Sequence, residues 1–285
     1  MMNPWLMAAR PKTLSASVVP VLIGTGLAIR DGYRIPWLYF GCALAGAVLI
    51  QIATNLINDA LDFKKGADTK NRLGPLRVTA AGLLRPEAVM RGAYVCLFLA
   101  ALCGIPLIYR GGWPLLVIGA ASIIAAYAYT GGPYPLAYHG LGEIFVMLFF
   151  GFVAVGGTYF VLALQYSIDA AIGGFAAGSL ACVILAINNL RDIPNDEASN
   201  KRTVAVRIGA RAARGEIVLF AIVPFVVVLA LLDPSVLLVL ASLPLAIMVL
   251  RCVYRSEGAA LNRCLAMAGA LQWAFGILFL VGCVI

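Results

Sequence analysis

The sequence predicts an all-α, polytopic membrane protein with nine transmembrane helices. Of its 285 residues, 62% are hydrophobic and only 12% are charged, whereas a soluble globular chain carries about 25% charged residues. Nine apolar stretches reach or approach the roughly 20 residues that a helix needs to cross a bilayer. These observations exclude a soluble fold and predict one transmembrane domain over residues 1–285.

The nine stretches follow one another through mostly short connections. In chain order they cover 13–29, 36–58, 92–109, 113–129, 144–168, 170–190, 217–232, 234–250 and 264–285. Only Asp233 and Pro234 separate the seventh from the eighth. Because proline cannot continue a helix, we expect a tight hairpin there. The seven cysteines lie in or beside the apolar stretches without metal-ligand spacing, and we expect them to be small core residues.

The distribution of basic residues predicts the orientation of the chain. If the helices alternate from a cytoplasmic amino terminus, all 21 Lys and Arg residues except Arg30, Arg34 and Arg110 fall on the cytoplasmic side. Cytoplasmic connections of membrane proteins carry such an excess. The amino terminus is therefore predicted inside and the carboxyl terminus outside. The net charge of +8 is explained without a nucleic-acid partner, and none is expected.

Two long polar connections each follow an apolar helix that ends in Asn and Asp. Aligning them pairs Asn58 with Asn188 and Asp62 with Asp192, an offset of 130 residues. Duplicated halves of membrane proteins commonly build one site at their interface. The domain is therefore predicted to consist of two similar halves with a shared site. The predicted halves are about 1–135 and 136–285.

Aspartates gather at these two helix ends. Residues four apart share a helix face, so Asn58 lies with Asp62, and Asn188 lies with Asp192. Two carboxylates ~4 Å apart repel by roughly 4 kcal/mol at an effective dielectric of 20, which a bound cation would offset. Hard oxygen ligands suit magnesium. The predicted ligands of Mg²⁺, for which two ions are expected, are Asn58, Asp59, Asp62, Asp68, Asp192 and Asp196.

Basic residues flank both aspartate clusters. Arginine binds phosphate in a bidentate manner and lysine supplies a point charge. Acidic metal ligands beside basic anion ligands are typical of a metal-diphosphate site, although ordinary positive-inside charge is the alternative for any single residue. The predicted diphosphate-binding residues are Lys64, Lys65, Arg72, Arg77, Lys201 and Arg202.

At these motifs the sequence resembles the UbiA superfamily of intramembrane aromatic prenyltransferases. Asn58, Asp59 and Asp62 match the family's first aspartate-rich motif, but the last position is Gly66 here and the carboxylate follows at Asp68. This variant resembles the branch that prenylates 1,4-dihydroxy-2-naphthoate for menaquinone. The resemblance runs from Arg10 to about Gly209. Its other segments are 10–14, 129–133, 141–143 and 188–203.

The resemblance implies a UbiA-type bundle and a specific reaction. A polyprenyl diphosphate would transfer its chain to 1,4-dihydroxy-2-naphthoate, releasing diphosphate and carbon dioxide and giving demethylmenaquinone. The multi-pass enzyme would lie in the cytoplasmic (inner) cell membrane with its site facing the cytoplasm. The oligomeric state is left open.

The same resemblance gives roles to individual residues. Asp62 and Asp192 would be catalytic through the metal, and His139, the only histidine, could orient or deprotonate the acceptor. Candidate residues for the aromatic or prenyl group are Asn55, Tyr127, Tyr129, Tyr134, Glu143 and Asn188. Aromatic faces stabilise cations, which adds Phe149, Phe150 and Tyr159 as candidates for an allylic cation. For Glu143 the alternative is favourable charge at a helix start.

Two alternatives stay open at this stage. The first is a sister enzyme that acts on homogentisate or 4-hydroxybenzoate. Branches acting on 4-hydroxybenzoate usually carry a Lys-Arg pair after a Tyr-Pro in the middle cytoplasmic loop. In this sequence the middle loop is 130–143, and it contains no Lys or Arg after Tyr134 and Pro135. The second is a secondary transporter, which would place its carboxylates near the bilayer midplane rather than at cytoplasmic helix ends.

Overall fold

The computed structural model describes residues 3–67 and 73–285, and every regular element in those two ranges is helical. The α-helices are α1 (Pro4–Ala9), α2 (Ser15–Arg30), α3 (Trp37–Lys64), α4 (Pro86–Gly111), α5 (Trp113–Ala128), α6 (Gly142–Val146), α7 (Ala154–Ala163), α8 (Ile168–Ala198), α9 (Val204–Val227), α10 (Leu243–Arg255) and α11 (Leu261–Val284). A π-helical segment, Met147–Val153, joins α6 to α7. The 3₁₀ segments Val228–Leu231 and Val236–Ser242 extend α9 and precede α10.

Seven helical segments are long and apolar enough to cross a membrane. They are Trp37–Lys64, Pro86–Gly111, Gly142–Ala163, Ile168–Ala198, Val204–Leu231, Val236–Arg255 and Gly258–Val284. The pair Pro4–Thr13 and Ser15–Arg30, bent by 47°, raises the number to eight within the described ranges. The remaining predicted stretch forms α5, whose 16 residues rise about 24 Å, short of a hydrocarbon core of about 30 Å. The chain is thus a multi-pass membrane protein, and the count of nine and the orientation stay predictions.

Both motif-bearing helices extend further than the apolar pattern predicts. The predicted stretch 36–58 belongs to α3, which continues to Lys64, and the stretch 170–190 belongs to α8, which continues to Ala198. Hydrophobicity alone ends both helices too early, because their last turns are polar yet still hydrogen-bonded. Pro194 lies inside α8 without ending it. The aspartates of both motifs are therefore held on regular helix rather than on loops.

Helix α8 lies at the centre of the bundle and packs against the π-helical segment through glycines. A Cβ atom at Gly151 would lie 2.6 Å from the carbonyl oxygen of Gly174 and 3.2 Å from the Cα atom of Gly178. Only glycine permits so close an approach of two backbones, and small residues are the usual contact between membrane helices. This contact fixes α8, and with it the second aspartate motif, against the segment that follows the middle loop.

The hairpin predicted at Asp233 and Pro234 is present as a short turn between the two 3₁₀ segments. The Asp233 carboxylate accepts hydrogen bonds from the Ser235 backbone N–H (3.0 Å) and hydroxyl (2.7 Å), which closes the turn. The cysteine prediction is wrong for two residues, since Cys252 and Cys264 form a disulfide that links α10 to α11. Their pairing depends on how these helices meet, which spacing in the sequence does not reveal.

Candidate active site

The two aspartate motifs line one cavity of about 700 Å³. Asn58 and Asp62 reach it from the end of α3, and Asn188, Asp192 and Asp196 reach it from the end of α8. Each set is spaced by four residues, so its members share one face of their helix. The structure therefore brings together the two clusters that the sequence places 130 residues apart.

The connections around these helix ends are tied to one another. Asn195 on α8 donates its side-chain amide to the carbonyl oxygen of Ala67, which follows α3, at 2.6 Å. From the middle loop, the Tyr138 hydroxyl donates to Asp62 Oδ1 at 2.9 Å. The backbone N–H of Arg202, beyond α8, donates to the Tyr138 carbonyl at 3.0 Å. Three connections thus close over the polar end of the cavity.

The three motif carboxylates that line the cavity, Asp62, Asp192 and Asp196, each lie beside a cation of the chain itself. Arg77 Nη2 is 3.5 Å from Asp62 Oδ2, and Lys201 Nζ is 3.5 Å from Asp196 Oδ1. Arg191 donates two hydrogen bonds to the carboxylate of its neighbour Asp192, from Nε to Oδ1 (2.8 Å) and from Nη2 to Oδ2 (2.5 Å). Buried carboxylates require such partners, because an isolated buried charge is costly.

Arg191 is itself held rigidly. Its side chain is 0% exposed, and its remaining donors bind the side-chain oxygens of Asn188 (2.7 Å) and Asn262 (2.8 Å). Asn262 also donates to the carbonyl oxygen of Leu73 at 2.8 Å. Four hydrogen bonds make Arg191 a fixed structural charge, and it fixes Asp192 in turn.

The donor set fits a hard divalent cation that arrives with a phosphate ligand. The Asp196 Oδ2 atom is buried and has no hydrogen-bond partner among the described residues, which leaves an oxygen available for a ligand. Residues 3–67 and 73–285 contain no group of three or more His, Cys, Asp or Glu side chains placed to hold a metal by themselves. Magnesium usually takes one or two carboxylates and completes its shell with water and substrate phosphate, so the observed donors suit it.

Asp59 does not face the cavity. Its carboxylate accepts hydrogen bonds from the backbone N–H groups of Val78 (3.1 Å) and Thr79 (3.0 Å) and from the Thr79 hydroxyl (2.5 Å). The residue is 1% exposed. Because these donors occupy both oxygens, we assign Asp59 to anchoring the segment that carries Arg77, in place of the predicted metal ligation.

This anchoring role predicts the effect of substitutions at Asp59. We expect Asp59→Asn and Thr79→Val to have the same effect, because each removes a hydrogen bond between Asp59 and the segment that carries Arg77. Thr79 is not a predicted metal ligand, so its substitution tests the anchoring role alone. Trypsin should cleave both variants after Arg77 several-fold faster than the wild type. If Thr79→Val is cleaved as slowly as the wild type and Asp59→Asn binds Mg²⁺ more weakly, the anchoring role would be rejected in favour of metal ligation by Asp59.

Only some of the predicted basic residues line the cavity. Arg77 and Lys201 line the cavity. Lys65 Nζ donates to the Thr130 carbonyl oxygen at 2.6 Å; partial burial lowers the pKa of Lys65, while the nearby Asp62 carboxylate acts in the opposite direction. Lys64 is half-exposed and pairs with Glu87 at 3.6 Å. The side chain of Arg202 is not part of the wall, and Arg72, like the predicted ligand Asp68, lies outside the described residues.

Half of the six residues predicted to bind the aromatic or prenyl group line the cavity. Asn55, Tyr129 and Asn188 line the cavity, with Phe149 and Phe150. Burial raises the pKa of the Tyr129 hydroxyl, and the Glu143 carboxylate adds to this shift, so this hydroxyl stays protonated. Glu143 lies behind the wall, where it accepts a hydrogen bond from Asn189 at 2.9 Å.

Three other predicted residues lie outside the cavity lining, namely Tyr127, Tyr134 and His139. The ring of His139 stacks on Tyr134 with a 3.6 Å centroid distance. Its Nδ1 atom lies 2.8 Å from the Pro135 carbonyl oxygen. A ring held in this way does not reach a substrate in the cavity, so the geometry does not support His139 as a base. Tyr159 is distant as well, since it donates to Asp31 at 2.6 Å on the far end of α2.

Sequence reasoning missed Arg10, Lys12, Asn195 and Tyr138 as site residues. The first two follow α1 and line the cavity directly. They belong to the segment 10–14 that carries the family resemblance, so a signal for them existed. No pattern in the sequence marks Tyr138, whose contacts arise only because separate connections meet.

Beyond its polar end the cavity is apolar and lined by small residues. Ala43, Gly46 and Ala47 of α3, Ala100 and Gly104 of α4, and Gly119 of α5 contribute to its lining. From Asn58 to Ala43 the wall of α3 extends about 22 Å along the helix axis. Small side chains keep this space open, so the cavity joins a charged mouth to a long hydrophobic chamber.

Comparisons with known proteins agree with this architecture. A profile of the UbiA prenyltransferase family matches residues 17–275. The 1,4-dihydroxy-2-naphthoate octaprenyltransferase of Mycobacterium tuberculosis is 38% identical over 247 residues, covering 85% of this chain and 83% of that protein. The Escherichia coli protein of the same name is 38% identical over 216 residues, covering 74% and 70%. A UbiA homolog from Archaeoglobus fulgidus, solved with DMAPP and Mg2+, shares the fold with a TM-score of 0.66 at 12% identity, covering 97% of this chain and 99% of that one.

Proposed function

Because the chain belongs to the UbiA prenyltransferase family, we propose that this enzyme transfers a polyprenyl chain from polyprenyl diphosphate to 1,4-dihydroxy-2-naphthoate. One observation carries the proposal: both aspartate motifs line a single cavity that is charged at one end and apolar beyond it. The charged end suits a diphosphate, and the apolar chamber suits the chain attached to it. Relatives that bear the naphthoate prenyltransferase name support the choice of acceptor.

We propose that Mg²⁺ is the cofactor, with two ions. Asn58, Asp62, Asp192 and Asp196 would hold it, together with Asp68. When bound, the metal supplies positive charge that stabilises the leaving diphosphate. The A. fulgidus homolog solved with Mg2+ and the hard oxygen donors described above support this assignment.

The chain's own cations would bind the remaining phosphate oxygens. Arg77 and Lys201 now pair with Asp62 and Asp196, and Arg10 and Lys12 line the same cavity. These four side chains lie at the charged end of the cavity. With the carboxylates bound to a metal, they would be free to bind the phosphate groups. Such preorganised charges act most strongly where water is excluded.

Bond changes at the acceptor follow from the proposed chemistry. The C–O bond of the donor breaks and its electron pair leaves with diphosphate, while the ring carbon that bears the carboxylate forms the new C–C bond. Loss of carbon dioxide returns its electron pair to the ring, which gives demethylmenaquinone in its reduced, quinol form. Tyr129, Phe149 and Phe150 line the wall, where their rings can stabilise the allylic cation and exclude water.

The acceptor assignment predicts the lipid product and the fate of the carboxyl carbon. Membranes containing this enzyme, given one prenyl diphosphate and 1,4-dihydroxy-2-naphthoate, should yield a prenylated naphthoquinol by mass spectrometry. Carboxyl label should leave as carbon dioxide in equal molar amount, because the new bond replaces the carboxylate.

Parallel incubations with homogentisate and 4-hydroxybenzoate provide the comparison. We expect at least about a tenfold lower yield with either, since one missing polar contact in a site typically costs this much or more. Label that stays in the lipid product, or a higher yield from either phenolic acid, would reject the naphthoate assignment.

We also propose that the site faces the cytoplasm of the cell membrane and that the two halves, about 1–135 and 136–285, descend from one repeat. The excess of Lys and Arg in the connections on the site's side of the membrane supports this orientation. The matching Asn and Asp positions at the ends of α3 and α8 support the repeat.

A further inference from the structure

Tyr138 joins the three connections that close over the charged end of the cavity. It lies in the 3₁₀ turn Leu136–His139 of the middle loop. Its hydroxyl donates to Asp62 Oδ1 (2.9 Å), and its carbonyl oxygen accepts from the Arg202 N–H (3.0 Å). One residue of the middle loop therefore contacts both aspartate-bearing halves.

The ring of Tyr138 also faces two lysines from different halves. Lys65 Nζ lies 4.5 Å from the ring centroid, and Lys201 Nζ lies 5.8 Å from it. Both distances fall within the roughly 6 Å over which an ammonium group is attracted by an aromatic face. The ring thus holds two like charges near one another, an arrangement that an anion between them would favour.

Each lysine also makes a second contact close to one of the two motifs. Lys65 donates to the Thr130 carbonyl at 2.6 Å, and the Thr130 hydroxyl donates to Asn58 of the first motif. Lys201 pairs with Asp196 of the second motif at 3.5 Å. The two ammonium groups therefore lie near different motifs, and they lie 4.5 Å and 5.8 Å from the Tyr138 ring centroid.

We infer that Tyr138 is a positioning residue that sets Lys65 and Lys201 to bind the diphosphate of the prenyl donor. Tyr138 and Lys65 do not line the cavity, whereas Lys201 and Asp62 do, so Tyr138 acts through its contacts with the lysines and with Asp62. The inference rests on the proposed function, since it assumes that a diphosphate occupies the charged end.

The test measures binding of magnesium pyrophosphate to purified full-length protein in nanodiscs by calorimetry. We expect Tyr138→Leu to weaken the affinity about tenfold, because it removes the aromatic face from two cations. Tyr138→Phe keeps that face and loses only the hydroxyl, so it should weaken affinity about threefold. Tyr254→Leu is the matched control, since Tyr254 is 59% exposed at the end of α10.

A double-mutant cycle separates positioning from a merely structural role. In a Lys65→Met background, Tyr138→Leu should cost less than about threefold, because half of the charge it positions is already gone. In turnover assays the KM for the prenyl donor should rise more than the KM for the aromatic acceptor. If Tyr138→Leu fails to fold, the same double-mutant cycle is measured with Tyr138→Phe, which tests the contribution of the hydroxyl.

Two outcomes would overturn the inference. One is wild-type affinity in Tyr138→Leu, and the other is an equal loss with and without the Lys65 charge. Failure of the wild-type protein to bind magnesium pyrophosphate would instead overturn the proposed function, so the two hypotheses are tested separately.

Discussion

Asp192→Ala and Asp62→Ala are each expected to abolish turnover while the protein remains inserted in the membrane. Both carboxylates line the shared cavity, and each belongs to a different motif, so neither motif can replace the other. Losing one preorganised electrostatic group at a reacting centre typically lowers kcat by about 10²–10³. Prenylated product should be measured by chromatography and normalised to the amount of protein in the membrane fraction.

Two further variants control for folding. Asp192→Ala leaves the buried Arg191 without its closest partner, which is costly in itself. Asp192→Asn keeps an oxygen that can accept from Arg191, so we expect normal insertion with activity still reduced at least about tenfold. Glu257→Ala removes a carboxylate that is 90% exposed and should behave as the wild type. Product yield close to that of the wild type from Asp62→Ala or Asp192→Ala would refute the assigned role of these residues.

Removing divalent cations is expected to stop the reaction completely. Without a metal, a diphosphate at the charged end would face Asp62, Asp192 and Asp196, and each close pair of like charges costs roughly 4 kcal/mol at ~4 Å and an effective dielectric of 20. Isolated membranes treated with excess EDTA should form no product, and added Mg²⁺ should restore it. Membranes treated with the calcium-selective chelator EGTA in the presence of Mg²⁺ serve as the control.

The same experiment distinguishes an enzyme from a transporter. A secondary transporter would move its solute without forming a new covalent product, with or without EDTA. Prenylated product that persists at full yield in excess EDTA would show that the carboxylates serve another purpose. The cavity would then need a different explanation for its convergent Asn and Asp residues.

Part of the site was predictable because it follows from local rules. The spacing of Asn58 and Asp62, and of Asn188 and Asp192, places each pair on one helix face whatever the rest of the fold. Matching motifs 130 residues apart then predicted a shared site, and both motifs line the same cavity. Arg77 and Lys201, predicted from their position after the motifs, line it as well.

The predicted roles differ from the observed contacts where a side chain had more than one possible partner. Asp59 neighbours Asn58 in the first motif, but it points a different way around α3 and is occupied by Val78 and Thr79. His139 is a predicted catalytic candidate as the only histidine, yet the neighbouring Tyr138 makes the contact to Asp62. Adjacent side chains differ in direction by about 100° on the α-helix that carries Asn58 and Asp59 and by about 120° on the 3₁₀ turn that carries Tyr138 and His139, so neighbouring residues contact different groups.

Hydrophobicity and four-residue spacing are local properties of the chain, so they were enough to predict the helical membrane class and the two motifs that bear Asn and Asp. Other contacts depend on the tertiary structure: Asn262 binds Arg191, Val78 and Thr79 anchor Asp59, and two lysines lie near the Tyr138 ring. The partners in each of these contacts come from separate parts of the chain, and they meet only because the fold brings the ends of α3 and α8 to one cavity.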